Sequence, residues 1–99
     1  MKLKILAAAQ QELLEAADYY RAMDPALGDA FRHESKLAIQ RMIAFPSAWH
    51  ALSADLRRCQ FNRFPYALIY TATASEILVL AVAHLHRSPG YWHNRINEP

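Results

Sequence analysis

The chain opens on an alternation. Lys2-Leu3-Lys4-Ile5 sets polar against apolar at every second position, the signature of a strand with one wet face. From Gln10 the period lengthens. Leu13, Ala16, Ala17 and Tyr20 fall at i, i+3, i+4 and i+7 and share one helical face, while Glu12, Glu15, Asp18 and Arg21 take the other. The alanine-rich run favours a helix that ends near Met23. Asp24-Pro25 is a restart: Asp accepts from the early backbone amides, and Pro suits a first helical position whose N–H would be unpaired anyway. A second helix then aligns Leu27, Ala30, Phe31, Ala38, Met42 and Phe45, with Asp29, Arg32, Lys36 and Gln40 facing away and Pro46 stopping it. Gly28, in its first turn, costs up to about 1 kcal/mol relative to Ala; close packing of one backbone on its neighbour would account for it. So short a joint predicts an antiparallel helical hairpin.

Residues 47–55 show no firm period and read as a connecting loop carrying Trp49 and His50. Arg58 to Asn62 alternates, Pro65 marks a turn or strand edge, Tyr66 to Thr73 is rich in β-formers, and Ala74-Ser75 supplies a turn. The run Ile77 to Ala83 is apolar on both parities, as expected of a strand covered on both faces. The order predicts one α+β domain over residues 1–99: an N-terminal strand, an antiparallel helical hairpin, then a three-stranded antiparallel meander (β-α-α-β-β-β). A break at Ser88-Pro89 and a short helix or turn over Tyr91 to Ile96 close it.

Composition narrows the class. The 99 residues are 54% hydrophobic and 20% charged, enough for one modest core in a soluble domain. No apolar run approaches the ~20 residues that cross a bilayer. The start resembles a secretory leader only briefly before entering the helical pattern, and Cys59 is the one cysteine, so a cytoplasmic protein without disulfides or membrane contact is expected. The net charge of +2 is too small to argue nucleic-acid binding from the whole molecule. Its distribution says more. Acids concentrate between residues 12 and 34, whereas Arg57, Arg58, Arg63, Arg87 and Arg95 lie in the aromatic-rich C-terminal part, which suits an anionic partner.

His84 and His86, two apart on a strand, point to one face, but a metal site needs further ligands and none is expected. They can also move protons near neutral pH. Arg87, Tyr91, Trp92 and Arg95 follow. On a terminal helix Tyr91 and Arg95 would share a face. Arg grips a carboxylate or phosphate bidentately, and aromatic rings stack on bases or fill protein pockets. Trp92 reads first as a cap on the open end of the core. Tyr66 is the surface candidate of the Phe64-Pro65-Tyr66 turn, and Glu34 with Arg41 reads as a boundary salt bridge.

These patterns together resemble the RelE/ParE superfamily of toxins from type II toxin–antitoxin (plasmid stabilisation) systems. The match runs through Ala9, Glu12, Leu13, Glu15, Ala16, Tyr19 and Tyr20, then Leu27-Gly28 with Phe31, Pro46, Arg57-Arg58, Phe64-Pro65-Tyr66 with Tyr70, and His84…Arg87-x-Pro89-x-Tyr91-Trp92-x-x-Arg95. RelE-like members cut messenger RNA in the ribosome without a metal; ParE-like members poison DNA gyrase and have no established chemistry. The resemblance implies no cofactor and a cognate antitoxin with an acidic, partly disordered segment. As a nuclease the chain would use Arg58, Arg63, His84, His86, Arg87 and Tyr91. For target or antitoxin binding the candidates are Arg57, Arg58, Tyr66, Arg87, Tyr91, Trp92 and Arg95. Three cationic positions of the nucleases hold Gln60, Ala67 and Leu85 instead, which removes charge that would stabilise a phosphorane. The balance is towards a ParE-like growth inhibitor acting on gyrase, ahead of a ribosome-dependent endoribonuclease and of a non-toxic protein-binding module of the same fold.

Overall fold

A cap at Asp24 makes the helical hairpin. The computed structural model, which describes residues 1–87 and 89–97, forms α1 over Ala7–Met23 and α2 over Pro25–Ala44. Asp24 Oδ1 accepts from the Ala26 amide at 2.9 Å while the Asp24 N–H donates to Tyr20 O, so one residue ends the first helix and starts the second. Gly28 is where the helices touch. A Cβ there would lie 2.9 Å from Arg21 Cβ and 3.1 Å from its Cα, closer than side chains approach, and this close approach explains the glycine. Phe31, Ala38 and Met42 of α2 are buried with Ala9, Ala16 and Ala17 of α1. Phe45, expected on the same apolar stripe, is 65% exposed because α2 ends at Ala44 and the chain leaves helical geometry at that residue.

The sheet holds β1 (Lys2–Ile5), β2 (His50–Ala51), β3 (Arg57–Gln60), β4 (Tyr66–Ala72) and β5 (Glu76–His84) in the order β1-β5-β4-β3-β2. The three expected meander strands are β3, β4 and β5, paired antiparallel. The N-terminal strand joins them in parallel on the far side of β5, from Lys2↔Glu76 to Ile5↔Val79, so the sheet is mixed. Where a loop alone was expected, His50 and Ala51 pair with Arg58 and Arg57 as β2. Two exposed residues carry no period to read; the neighbouring β3 edge imposes the pairing.

Register sorts the faces. Cys59 Sγ donates to Ala38 O of α2, so Cys59 and its cross-strand partner Leu68 face the helices. Arg58, Ile69, Ala67 and Ala83 therefore lie on the opposite face. Tyr66 and His84, paired with each other, return to the helix side, where Tyr66 packs on Phe31 at 5.2 Å. A bulge interrupts the central hairpin: Ile69 opposes Ala81 and Tyr70 opposes Val79, leaving Leu80 as the extra residue.

The loop after α2 is fastened from beneath. The Tyr70 hydroxyl donates to Pro46 O at 2.6 Å, the Trp49 indole to Arg41 O at 3.2 Å, and Arg57 Nη1 to Trp49 O at 2.8 Å. Burial holds the Tyr70 phenol well above its ordinary value, at about 12. Arg41 itself donates to Gln60 O at 3.1 Å rather than forming the expected boundary ion pair with Glu34, which sits buried about two turns earlier along α2. Among the described residues no helix is long and apolar enough to cross a membrane, and no group of three or more His, Cys, Asp or Glu could hold a metal ion.

Candidate functional site

The end of β5 gathers the candidate residues because β1 stops short. β1 covers the β5 edge only as far as Val79, where the Leu6 N–H donates to Val79 O and the chain turns away into α1. Beyond that point Leu80 C=O and Val82 N–H have no strand beside them. A bare edge of this kind must be satisfied by other groups. Side chains do it here. Arg95 Nη1 donates to Leu80 O at 3.1 Å, and the Val82 N–H donates to Glu12 Oε1 at 3.0 Å.

Glu12 is the hub. Its carboxylate also accepts from Arg95 Nη1 at 2.9 Å and Nη2 at 3.3 Å, and from the Tyr91 hydroxyl at 2.9 Å, with Arg87 Nη1 at 3.9 Å. The Glu12 and Arg95 side chains are only 15% and 17% exposed, whereas Arg87 is 57% exposed. The Tyr91 ring lies between the two cations, 4.0 Å from the Arg87 guanidinium carbon and 5.1 Å from that of Arg95. Burial, then the Glu12 hydrogen bond and charge, push the Tyr91 phenol up to about 12.

The short 3₁₀ helix His93–Asn97 supplies Arg95, and Gly90, at φ 88, makes the turn before it. Ser88, half of the expected break, lies outside the described residues. Trp92 packs into the core at 8% exposure and has little surface left for a partner. Tyr91 lies in the turn before the 3₁₀ helix rather than on a helix shared with Arg95, yet both side chains turn inwards onto Glu12 of α1. The tail is thus folded down rather than held out.

Two openings flank this pole, and His84 and Arg87 border both. On the helix side a groove of about 240 Å3 runs past Glu12, Glu15, Tyr19 and Tyr66. On the opposite face a smaller cleft of about 100 Å3 has an apolar floor of Ala67, Ile69 and Ala83 with Arg58 and Arg87 among its lining residues. His84 Nδ1 accepts the His86 N–H at 3.0 Å, so a neutral His84 carries its proton on Nε2 and offers a donor there. The His84 ring also packs edge-on against Tyr66 at 5.0 Å, and His86 is exposed.

The structure therefore brings together Arg58, His84, His86, Arg87, Tyr91, Trp92 and Arg95 around one end of the sheet. It does not bring Arg63, which sits exposed in the β3–β4 turn with its guanidinium 5.5 Å from the Phe64 ring. Arg57 is used in fastening Trp49. Glu12, expected on the polar face of α1, is the site residue that sequence reasoning does not find. It lies at the margin of the buried stripe, with Ala9, Glu12 and Ala16 at i, i+3 and i+7 and both alanines buried.

The family description "ParE toxin of type II toxin-antitoxin system, parDE" matches residues 3–89, most of the chain. The chain belongs to the ParE toxin family. Among solved structures, the fold is similar to a chain of the chromosomal ParDE TA system from P. aeruginosa. The TM-score is 0.73 with 18% identity, covering 86% of this chain and 96% of that one. At that identity the likeness speaks for the fold. No curated protein matches the sequence significantly.

Proposed function

We propose that the chain is a growth-arresting toxin that poisons DNA gyrase by protein contact in the cytoplasm and is neutralised by a cognate antitoxin. Membership of the ParE family supports this reading, and the chemistry of the β5 end favours it over RNA cleavage. Metal-free RNA cleavage needs a group that can take up the ribose proton and cations at the phosphate. The Tyr91 hydroxyl is engaged with Glu12 and titrates at about 12, so it is a poor base near neutral pH. His84 Nδ1 is occupied by a backbone N–H, and Arg63 is remote from the cleft. What the pole offers instead is an outward Arg87 beside His84, over an apolar cleft that Arg58 also lines. That combination suits an acidic protein surface.

Antitoxin docking has its own platform on the helical hairpin. The outer groove between α1 and α2, about 400 Å3, is lined by Leu13, Leu14 and Ile39 beside Arg32 and Lys36, with buried Ala17 at its floor. An acidic amphipathic segment that folds on contact fits both its apolar floor and its charge. Induction in cells tests the target. We expect a DNA-damage response with transcripts intact; transcripts cut at codons soon after induction, without DNA damage, would overturn the gyrase reading.

A further inference from the structure

We propose that Glu12 is the positioning residue of the toxic surface: its carboxylate clasps Tyr91 and Arg95 onto the open edge of β5, aiming Arg87 outwards and turning Arg95 in. The role of the surface rests on the gyrase reading above; the clasp itself does not. Three kinds of donor converge on this one carboxylate, and each comes from a different part of the chain. The Val82 amide is the backbone of the strand edge, the Tyr91 hydroxyl belongs to the turn after Gly90, and the Arg95 guanidinium belongs to the 3₁₀ helix. The donor on the strand is free to be taken because β1 ends at Ile5.

The arrangement divides the two tail arginines. Arg95 lies flat against the edge, bonded to Glu12 and to Leu80 O. Arg87 reaches Glu12 only at 3.9 Å, rests on the Tyr91 ring and keeps more than half of its side chain in solvent. Tyr91 is the platform for Arg87, and Glu12 holds the platform. A substitution on α1, far along the chain from the cationic tail, therefore decides where that tail's outward charge points.

Amide exchange and growth arrest, read on the same variants, test this. In Glu12→Gln the Val82 amide is expected to exchange at least tenfold faster, together with the Arg95 amide of the tail, while the Leu68 and Ile69 amides of β4 keep their rates. Adding Arg95→Met to Glu12→Gln should change the Val82 rate less than threefold further, because the two residues act as one unit. Survival after induction should rise at least tenfold for Glu12→Gln at equal soluble protein. Unchanged Val82 exchange, or acceleration shared equally by Leu68 and Ile69, would overturn the clasp. Faster local exchange with full growth arrest would overturn its positioning role. If the unsubstituted chain arrests no growth, the toxin reading fails, and the exchange rates still decide whether the clasp exists.

Discussion

Two inner strands, β5 and β3, run past the short strands that flank them, and the chain covers those two stretches by different means. On β5 the uncovered Leu80 C=O and Val82 N–H are met by Arg95 and Glu12, two oppositely charged side chains largely removed from water and bonded to each other. On β3, beyond the short reach of β2, Gln60 C=O is met by Arg41 through a single exposed bond at 3.1 Å. The first edge is sealed beneath the folded tail. The second is lightly covered and stands beside Arg58. An incoming extended segment would have to expel a partly buried ion pair to add to β5, whereas at β3 it competes with one solvated guanidinium. Of the two stretches, the β3 side is therefore the easier for an added strand to reach, and the outward charge lies with Arg87 at the end of β5.

Removing the clasp should produce the largest effect. Glu12→Ala leaves the Arg95 guanidinium, the Tyr91 hydroxyl and the Val82 N–H without their shared acceptor, and we expect a loss of about 3 kcal/mol in urea denaturation. The two neutral fastenings are smaller. Tyr91→Phe at the β5 edge and Tyr70→Phe beneath the loop each delete one hydroxyl bond, at a cost of about 1 kcal/mol. These two tyrosines also set an alkaline limit. Each phenol titrates at about 12 in the folded chain against an ordinary 10.0, so the folded state favours the protonated form. Their stabilising contribution is complete below pH 10 and is lost as pH rises towards 12, and either phenylalanine variant should flatten that decline in denaturation midpoints. Arg41→Ala, at the lightly covered edge, should change stability by less than about 0.5 kcal/mol. A larger loss there than at Glu12 would reverse the comparison of the two edges.

Much of the fold was legible because its elements are strongly patterned. The hairpin could be read from Asp24-Pro25 and from the apolar spacing on either side of it, and Gly28 announced the close contact of the two helices. The meander followed from runs of β-formers separated by turn residues. What the pattern could not carry was pairing between distant segments. Nothing in Lys2-Leu3-Lys4-Ile5 states that it lies parallel to β5, and two exposed residues at His50-Ala51 have no period. The site was legible as a collection of residues but not as an arrangement. Arg87, Tyr91 and Arg95 were recognised, yet their common partner lay about eighty residues earlier, hidden in a helix whose charged positions all read as solvent-facing. A charge at the margin of an apolar stripe is invisible to periodicity until the opposing edge is known to need an acceptor.

The central claim is that this ParE-family chain acts through the outward pole formed by Arg87 at the end of β5. Purified chain mixed with DNA gyrase and supercoiled plasmid tests it most directly, by the amount of linear, enzyme-cleaved DNA that accumulates. The account predicts accumulation with the unsubstituted chain and a loss of at least tenfold with Arg87→Ala at unchanged folding, since that side chain is 57% exposed and, among the described residues, holds no backbone group in place. Absence of cleaved plasmid with the unsubstituted chain, or full activity with Arg87→Ala, would contradict it.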